Sequence, residues 1–539
     1  MKGKLKKNSF IQGTLISSFF MIFIKILGAL YVIPFYKIIG EEGGTLYSYA
    51  YNIYILFLNI STAGIPVAMS MIISEYLALE MYDAKQRAKK IGSKLVGVLA
   101  VVSFLIVFFG SKNLASFLLS DVSGGHTVNE VATVIRVTSF CLLIIPFLSI
   151  LRGYLQGHKY ITVTSFSQVL EQIVRIVVVL LGSYVSIRIL KHSTEVGVSV
   201  ALTGAFFGGL AAFIYLKLKI RNNKKEFVES KTKDNVKNKE ILRKIISYCV
   251  PIVMISIIDN IYTLIDIRLI VKGLSMAGYN AMESQTISGI VATWAPKICT
   301  IIIAISASLT TNIIPHVTTS YVKKDYAGVN YRINQALSTM LVITIPMAVL
   351  LFLLSKEAYF IFYSTSQYGP LILAFSAISH IFFGIWSIFN SILQSLKKFK
   401  IIYLNSIIGL VTNALLDIPI ILLLKKMGLP AYIGTVIATS IGYIVSILIV
   451  MYSLNKTMKF NYTYTINTLK KISIPIVLII IVLAFIRKIV TFEYSIINAM
   501  LYLAINGIIG AGIYLVFTYK NKLLDNIFGE NFLKKLLKK

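Results

Sequence analysis

Runs of about 20 apolar residues, separated by short polar segments, recur from one end of the chain to the other. Each is long enough to cross a hydrocarbon core of about 30 Å as a helix. Fourteen are read, at 14–39, 47–77, 93–118, 131–156, 162–190, 196–217, 245–272, 286–320, 333–355, 369–395, 400–424, 429–454, 472–487 and 494–518. The first is too long for a signal peptide, lacks a small-residue cleavage site and is interrupted by Lys25. The segments between the runs alternate in charge. Thirty-seven lysines and arginines fall on the side that holds the N-terminus and ten on the other, so the positive-inside rule predicts cytoplasmic N- and C-termini and an even number of spans.

The pattern predicts an all-α polytopic membrane protein with 14 transmembrane helices. Composition agrees: 57% of residues are hydrophobic and 14% charged, which excludes a soluble enzyme. The net charge of +31 would by itself suit a nucleic-acid partner. Its one-sided distribution assigns it to a cytoplasmic membrane rim instead, so the bilayer is the expected partner and nucleic acid is not. Cys141, Cys249 and Cys299 lie inside apolar runs, which leaves no disulfide framework or CxxC site. No HExxH and no GxxxxGK[ST] occurs, and no cofactor is expected beyond a coupling cation.

Polar segment 217–244 carries eleven basic residues and divides the spans into two sets. The expected organisation is an N-lobe at 1–217 (spans one to six) and a basic cytoplasmic linker at 218–244. A C-lobe at 245–455 (spans seven to twelve) and spans thirteen and fourteen at 456–518 follow. The chain closes on an amphipathic cytoplasmic tail at 519–539, with Leu523, Leu524, Ile527, Phe528, Leu533 and Leu537 at helical spacing. The lobes read as a pseudo-symmetric repeat: SILRGYLQGHK at 149–159 resembles SIFNSILQSLKKFK at 387–400, with Leu155-Gln156 on Leu393-Gln394 and Arg175 on Asn413. Repeated halves suit a transporter whose substrate site lies near the membrane midplane.

Six basic residues (Lys25, Arg136, Arg152, Arg175, Arg268, Lys297) and five acidic ones (Glu75, Glu171, Asp259, Asp266, Asp417) fall within the spans. A charge at the bilayer centre costs about 2.5–3.5 kcal/mol on insertion scales, so these predict a wet, protein-lined interior. Lys25, in the middle of span one, and Lys297, next to Pro296, are candidate cavity cations. Arg268 either joins them or pairs with Asp259 or Asp266. Glu171 and Arg175 are spaced i, i+4 and read as a structural ion pair. Arg152, Glu75 and Arg136 read as rim charges. Asn413 and Asp417 share one helix face and offer hard oxygen ligands suited to Na⁺ or H⁺, with Thr435 and Thr439 as further oxygens. Pro66 with Gly64 should break span two, and Pro296 with Pro315 should break span eight correspondingly.

KILGALYVIPFYKIIGEEGGTLYSYAYNIY, ISTAGIPVAMSMIISEY and RGYLQGHKYITVTSFSQVLEQIVRI resemble the MurJ/SpoVB branch of the multidrug/oligosaccharidyl-lipid/polysaccharide exporter superfamily. The resemblance runs along essentially the whole chain and implies a flippase for an undecaprenyl-diphosphate-linked glycan, foremost the peptidoglycan precursor lipid II. It also implies a bacterial cytoplasmic membrane location and cell-wall synthesis enzymes as partners. Lys25 falls where one of the family's span-one arginines lies, and Lys297 near its span-eight arginine. Tyr31 or Val32 stands where a second span-one arginine is usual, and Met71 where a basic residue follows the GxPxAxS of span two. Asn413 and Asp417 match the Asn-xxx-Asp of a family sodium site, with Asp259 or Asp266 as the span-seven partner. The substrate-binding candidates are thus Lys25, Lys297, Arg268, Tyr31 and Pro66, working by alternating access without covalent chemistry. Rival readings are a flippase for a teichoic, capsular or sporulation-related glycan, a cation-coupled multidrug exporter, and a glycan polymerase or ligase. The short outer loops speak against the last.

Overall fold

The computed structural model describes residues 10–120, 124–223, 226–227, 234–300, 302, 317, 320–321, 323–396, 398–489 and 495–524. Among them there is no strand, and each of the fourteen apolar runs holds helix. Twelve helical stretches are long and apolar enough to cross a membrane. The chain is a multi-pass membrane protein. Pro315 and the tail beyond Leu524 lie outside the described residues.

The helices of the first half are α1 (Phe10–Leu30), α2 (Val32–Thr62), α3 (Ile65–Ala78), α4 (Tyr82–Leu119), α5 (Val128–Ser139), α6 (Ile145–Gly157), α7 (Ile161–Tyr184) and α8 (Thr194–Asn222). Those of the second are α9 (Asn238–Met276), α10 (Ala281–Gly289), α11 (Tyr326–Leu353), α12 (Ser355–Tyr363), α13 (Gly369–Ser395), α14 (Phe399–Lys426), α15 (Gly434–Met458), α16 (Thr463–Ile489) and α17 (Ile496–Lys520). Gly40, at φ +69°, breaks α2 between the first and second apolar runs. Gly64, at φ +75°, takes the left-handed conformation that glycine adopts without a Cβ penalty, and Pro66 opens the next helix. The expected break in span two is therefore present.

Contacts divide the chain into two compact units, the first holding residues up to Arg268 with Asn280–Gly289, the second Leu269–Tyr279 with Ile290 onward. This division falls inside α9 and not in the 218–244 segment. Within the first unit the described parts of that segment are anchored. Phe227 is buried among Tyr154, His158 and Tyr160. Asp234 accepts from the Ala84 amide and pairs with Arg87.

The internal repeat is written into backbone hydrogen bonds. In the turn between α6 and α7, the amides of His158 and Tyr160 donate to the carbonyls of Tyr154 and Leu155. Between α13 and α14, at an offset of 238, Leu396 and Lys398 donate to Ile392 and Leu393. The turn before α4 repeats before α11 at an offset of 244: Glu80 and Lys324 both have φ +58°. There the amides of Met81 and Asp325 reach back to Tyr76 and Ser320. The span-eight positions that this register pairs with the break at Ala63–Gly64, residues 307 and 308, lie outside the described residues.

Close helix packing depends on small residues. A Cβ on Gly153 would come within 2.8 Å of the Pro66 carbonyl oxygen, and one on Gly157 within 2.9 Å of the Ser70 carbonyl oxygen. The RGYLQG segment thus beds α6 against α3 through two glycines one turn apart, as small residues do where membrane helices approach closely. In the second unit α16 and α17 are joined to α11: the Tyr514 hydroxyl donates to the Val342 carbonyl at 2.6 Å, and Thr465 Oγ1 to Asn334 Oδ1 at 2.7 Å.

Candidate functional site

Of the candidates in the first unit, Lys25 lies on α1, Tyr31 between α1 and α2, Arg152 on α6, and Glu171 and Arg175 on α7. Lys25 is exposed and Tyr31 partly buried. Glu171 does not pair with Arg175 as the i, i+4 spacing suggested. Its Oε2 instead accepts from Arg152 Nη2 at 2.7 Å, while Arg152 Nε donates to Ser167 Oγ at 3.0 Å. The turn that brings α6 beside α7 places Arg152 across from Glu171, and a pair between two helices wins over the pair along one. Arg152 is therefore held in an ion pair between two helices.

Arg175 is left facing other partners. The phenols of Tyr31, Tyr47, Tyr51 and Tyr54 lie within electrostatic reach of it. Tyr47, Tyr51 and Tyr54 are spaced i, i+4, i+7 along α2 and so share one face; the Tyr47 and Tyr51 rings stack at 5.5 Å. The intervening Tyr49 points elsewhere and hydrogen-bonds Ser288 at 2.9 Å. Gly204 and Gly208 of α8 let the Arg175 backbone approach: added Cβ atoms there would meet the Arg175 carbonyl oxygen at 2.9 Å and its Cβ at 3.2 Å. The sequence carried this cluster in the tyrosine spacing of YSYAYNIY.

Arg268 does not pair with an aspartate of its own helix. Its Nη1 donates to the Phe117 carbonyl at 2.7 Å and the guanidinium lies 4.8 Å from the Phe117 ring centre, while Ser120 Oγ donates to the Arg268 carbonyl. It caps the last turn of α4, where a cation meets the negative end of the helix dipole. Asp259 is exposed and Asp266 buried. Glu75 pairs with Lys244 at the start of α9, and Arg136 Nη2 donates to Ser111 Oγ. Pro66 packs on Gly153, as above.

In the second unit, Ile290–Trp294 is a π-helical turn that ends two residues before Pro296. Proline lacks the amide that would continue the ladder, and the wider turn absorbs the defect, so the expected interruption in span eight is present here. Trp294 is buried, and its carbonyl accepts from the Tyr363 hydroxyl at 2.7 Å. Lys297 Nζ lies 4.1 Å from the centre of the Trp294 ring. A desolvated cation–π contact of this kind is worth about 2 kcal/mol, and it fixes the lysine through the anchored indole.

Asp417 is fully buried, as are Asn413 and Thr435. The register of α14 on α15 follows from two close approaches. A Cβ on Gly409 would meet the Gly442 carbonyl oxygen, and one on Gly434 the backbone of Ile421. These helices are antiparallel, which sets Asn413 and Asp417 at the level of residues 435–442. The Thr435 hydroxyl has no hydrogen-bond partner among the described residues, and the Thr439 hydroxyl donates to the Thr435 carbonyl at 2.9 Å. A buried carboxylate and amide on α14 thus face the stretch of α15 that carries Thr435 and Thr439, and oxygens of these kinds are hard ligands. Among the described residues no three His, Cys, Asp or Glu side chains form a metal cluster. A further network, unread in the sequence, joins Trp386 Nε1 to Asn405 Oδ1 at 3.0 Å and Asn405 Nδ2 to Asn390 Oδ1 at 3.2 Å. At the offset of 238, Asn390 and Asn405 are the counterparts of Arg152 and Ser167.

The family model for lipid II flippase MurJ matches residues 35–505. The chain belongs to the MurJ lipid II flippase family. Among curated MurJ relatives, the lipid II flippase MurJ of Bacillus subtilis (strain 168) is 29% identical over 545 residues, which cover 98% of this chain and 97% of that one. Stage V sporulation protein B of the same organism is 24% identical over 75% of this chain and 76% of its own length. A solved structure of lipid II flippase MurJ in an inward closed conformation superposes with a TM-score of 0.67 at 19% identity, covering 95% of this chain and all of that one, and shows the same fold. The MurJ family is one of lipid flippases and not of catalytic enzymes.

Proposed function

We propose that this chain translocates lipid II, the undecaprenyl-diphosphate-linked peptidoglycan precursor, from the inner to the outer leaflet of a bacterial cytoplasmic membrane. The observation that carries the reading is the family match across 35–505, continued by similarity to the Bacillus subtilis flippase along nearly the full chain. Both termini are cytoplasmic in this reading, following the charge asymmetry. The cargo has a diphosphate, a hydrophilic sugar head and a polyprenyl tail. The head needs cations and water to cross the hydrocarbon region, and the tail does not. Lys25 and Lys297 supply cations. The Trp294–Tyr363 anchor holds Lys297 in place, while Lys25 stays exposed for an incoming anion. Arg268, committed to the Phe117 carbonyl, serves the cargo less directly. Tyr31 and Pro66 shape the same lobe, Tyr31 through its phenol and Pro66 by redirecting span two.

Asn413, Asp417 and Thr435, with Thr439 beside them, would hold a coupling Na⁺ or H⁺, and the span-seven aspartates Asp259 and Asp266 are candidates to add a ligand. Cell-wall enzymes that make or consume lipid II are the partners in this reading.

The test is complementation. A bacterium depleted of its only lipid II flippase would express this chain, and lipid II accessible at the outer face would be measured. Restored exposure that is lost in Lys25→Ala is the expected result. An inserted protein that restores nothing would redirect the assignment to another undecaprenyl-linked glycan.

A further inference from the structure

Arg175 lies fourteen residues from each end of the helical stretch Ile161–Ile189. At 1.5 Å per residue that is about 21 Å from either end, the midplane of the span. A charge at this depth is costly and persists in membrane proteins where it faces the protein interior and has work to do. Its sequence neighbour Glu171 is taken by Arg152. Among the described residues no carboxylate forms a salt bridge with Arg175, and four phenols together with the Cys141 thiol lie within electrostatic reach of it. Neutral hydroxyls satisfy guanidinium donors without neutralising the charge. Arg175 as a whole residue is half-buried.

The chemistry of this set of groups suits an anion. Each phenol has one O–H to donate, and a guanidinium presents five N–H groups in a planar fork that matches phosphate oxygens. The tyrosines come from two places. Tyr47, Tyr51 and Tyr54 form one face of α2, and Tyr31 ends α1. An added Cβ on Gly28 would lie 3.5 Å from Gln172 Nε2, which fixes the level of α1 against α7. Both helices belong to odd-numbered spans and run the same way, so Tyr31 stands level with Arg175. Lys25 sits about two turns before Tyr31 along α1. An anion held at Arg175 is therefore one step along the span from the exposed lysine.

We propose that Arg175, with the hydroxyls of Tyr31 and Tyr51, forms a diphosphate-binding site at the membrane midplane of the first unit. This deepens the flippase reading and rests on it: the ligand class is the polyprenyl diphosphate part of the cargo. The site is positive but otherwise neutral. It distinguishes a diphosphate from an uncharged polyprenol and makes no demand on the sugar.

The experiment measures binding of undecaprenyl diphosphate, undecaprenyl monophosphate and undecaprenol to the purified full-length protein in nanodiscs, alongside lipid II. Four proteins are compared: the unaltered chain, Arg175→Gln, Arg175→Lys and Tyr51→Phe. The unaltered protein is expected to prefer the diphosphate over undecaprenol. Losing charge-assisted bonds should weaken diphosphate binding about 10- to 100-fold in Arg175→Gln, with less loss in Arg175→Lys and Tyr51→Phe and no change for undecaprenol. Equal diphosphate binding by the unaltered and Arg175→Gln proteins would overturn the site while leaving the flippase reading intact. An unaltered protein that binds neither lipid II nor undecaprenyl diphosphate would overturn both. If Arg175→Gln does not fold, unchanged diphosphate binding in both Arg175→Lys and Tyr51→Phe overturns the proposal.

Discussion

Arg152 donates from Nη2 to Glu171 Oε2 at 2.7 Å and from Nε to Ser167 Oγ, so a single guanidinium ties α6 to α7. The two side chains keep 13% and 18% of their surface exposed. Arg152→Ala or Glu171→Ala should therefore destabilise the protein by about 1–3 kcal/mol, less than the 3–5 kcal/mol of a fully buried broken pair. Arg152→Met combined with Glu171→Leu should be milder than either single change. Thermal unfolding can be followed in detergent with a thiol-reactive dye, because Cys141, Cys249 and Cys299 are free and buried. Equal unfolding temperatures for the single variants and the unaltered protein would contradict the assignment.

Gly153 offers a sharper probe of packing. Its Cβ would collide with the backbone of Pro66, which no side-chain rotation can relieve, whereas around Gly110 nothing lies within 4 Å. Gly153→Ala is expected to cost about 1–3 kcal/mol by overpacking. Gly110→Ala should be neutral or stabilising by up to about 1 kcal/mol, since alanine favours helix. The same dye measurement compares them, and matching losses would show that the close approach carries no weight.

The coupling-ion proposal predicts a specific stabilisation. A ligand that binds only the folded protein raises its unfolding temperature in proportion to the logarithm of its concentration. Replacing K⁺ by Na⁺ at constant ionic strength should raise the midpoint for the unaltered protein, leave Asp417→Asn unmoved and give a smaller rise in Thr435→Val. A full Na⁺ response in Asp417→Asn would place the ion elsewhere. No Na⁺ response, with a pH-dependent midpoint lost in Asp417→Asn, would point to a proton.

Tyr363→Phe removes one hydroxyl and leaves the Trp294 carbonyl buried without that donor. The expected loss is about 1–2 kcal/mol. Because Trp294 positions Lys297, lipid II exposure in the complementation strain should also fall. The substitution keeps an aromatic ring against the indole, so the change traces to the hydroxyl alone. A stability loss with unaltered transport would separate the anchor from the cargo.

The helical membrane fold was legible because every run had to satisfy its own backbone inside hydrocarbon, and that demand shows in length and apolarity alone. The breaks at Gly64 and before Pro296 were legible for a similar reason: each rests on one residue whose backbone chemistry differs from the rest. Pairing was not. Glu171 had two arginines within reach, one along the helix and one across the turn, and only the placement of α6 against α7 chose Arg152. Arg268 looked like a cavity cation because its partner is a carbonyl, which every residue possesses and no sequence pattern marks. The phenols around Arg175 were visible as a helical stripe but carried no sign of what they faced.

The matching turns at offsets of 238 and 244 give this protein an internal reference copy of itself. Features that agree between the copies, such as the turn hydrogen bonds, report what the scaffold requires whatever it carries. Positions that disagree mark where the copies specialised: Arg152 against Asn390, Arg175 against Asn413, Val179 against Asp417. One half has guanidiniums where the other has amides, and the second half's carboxylate Asp417 stands where the first has the apolar Val179. Exchanging residues between twin positions would thus move a chemical task from one half to the other without redrawing the architecture.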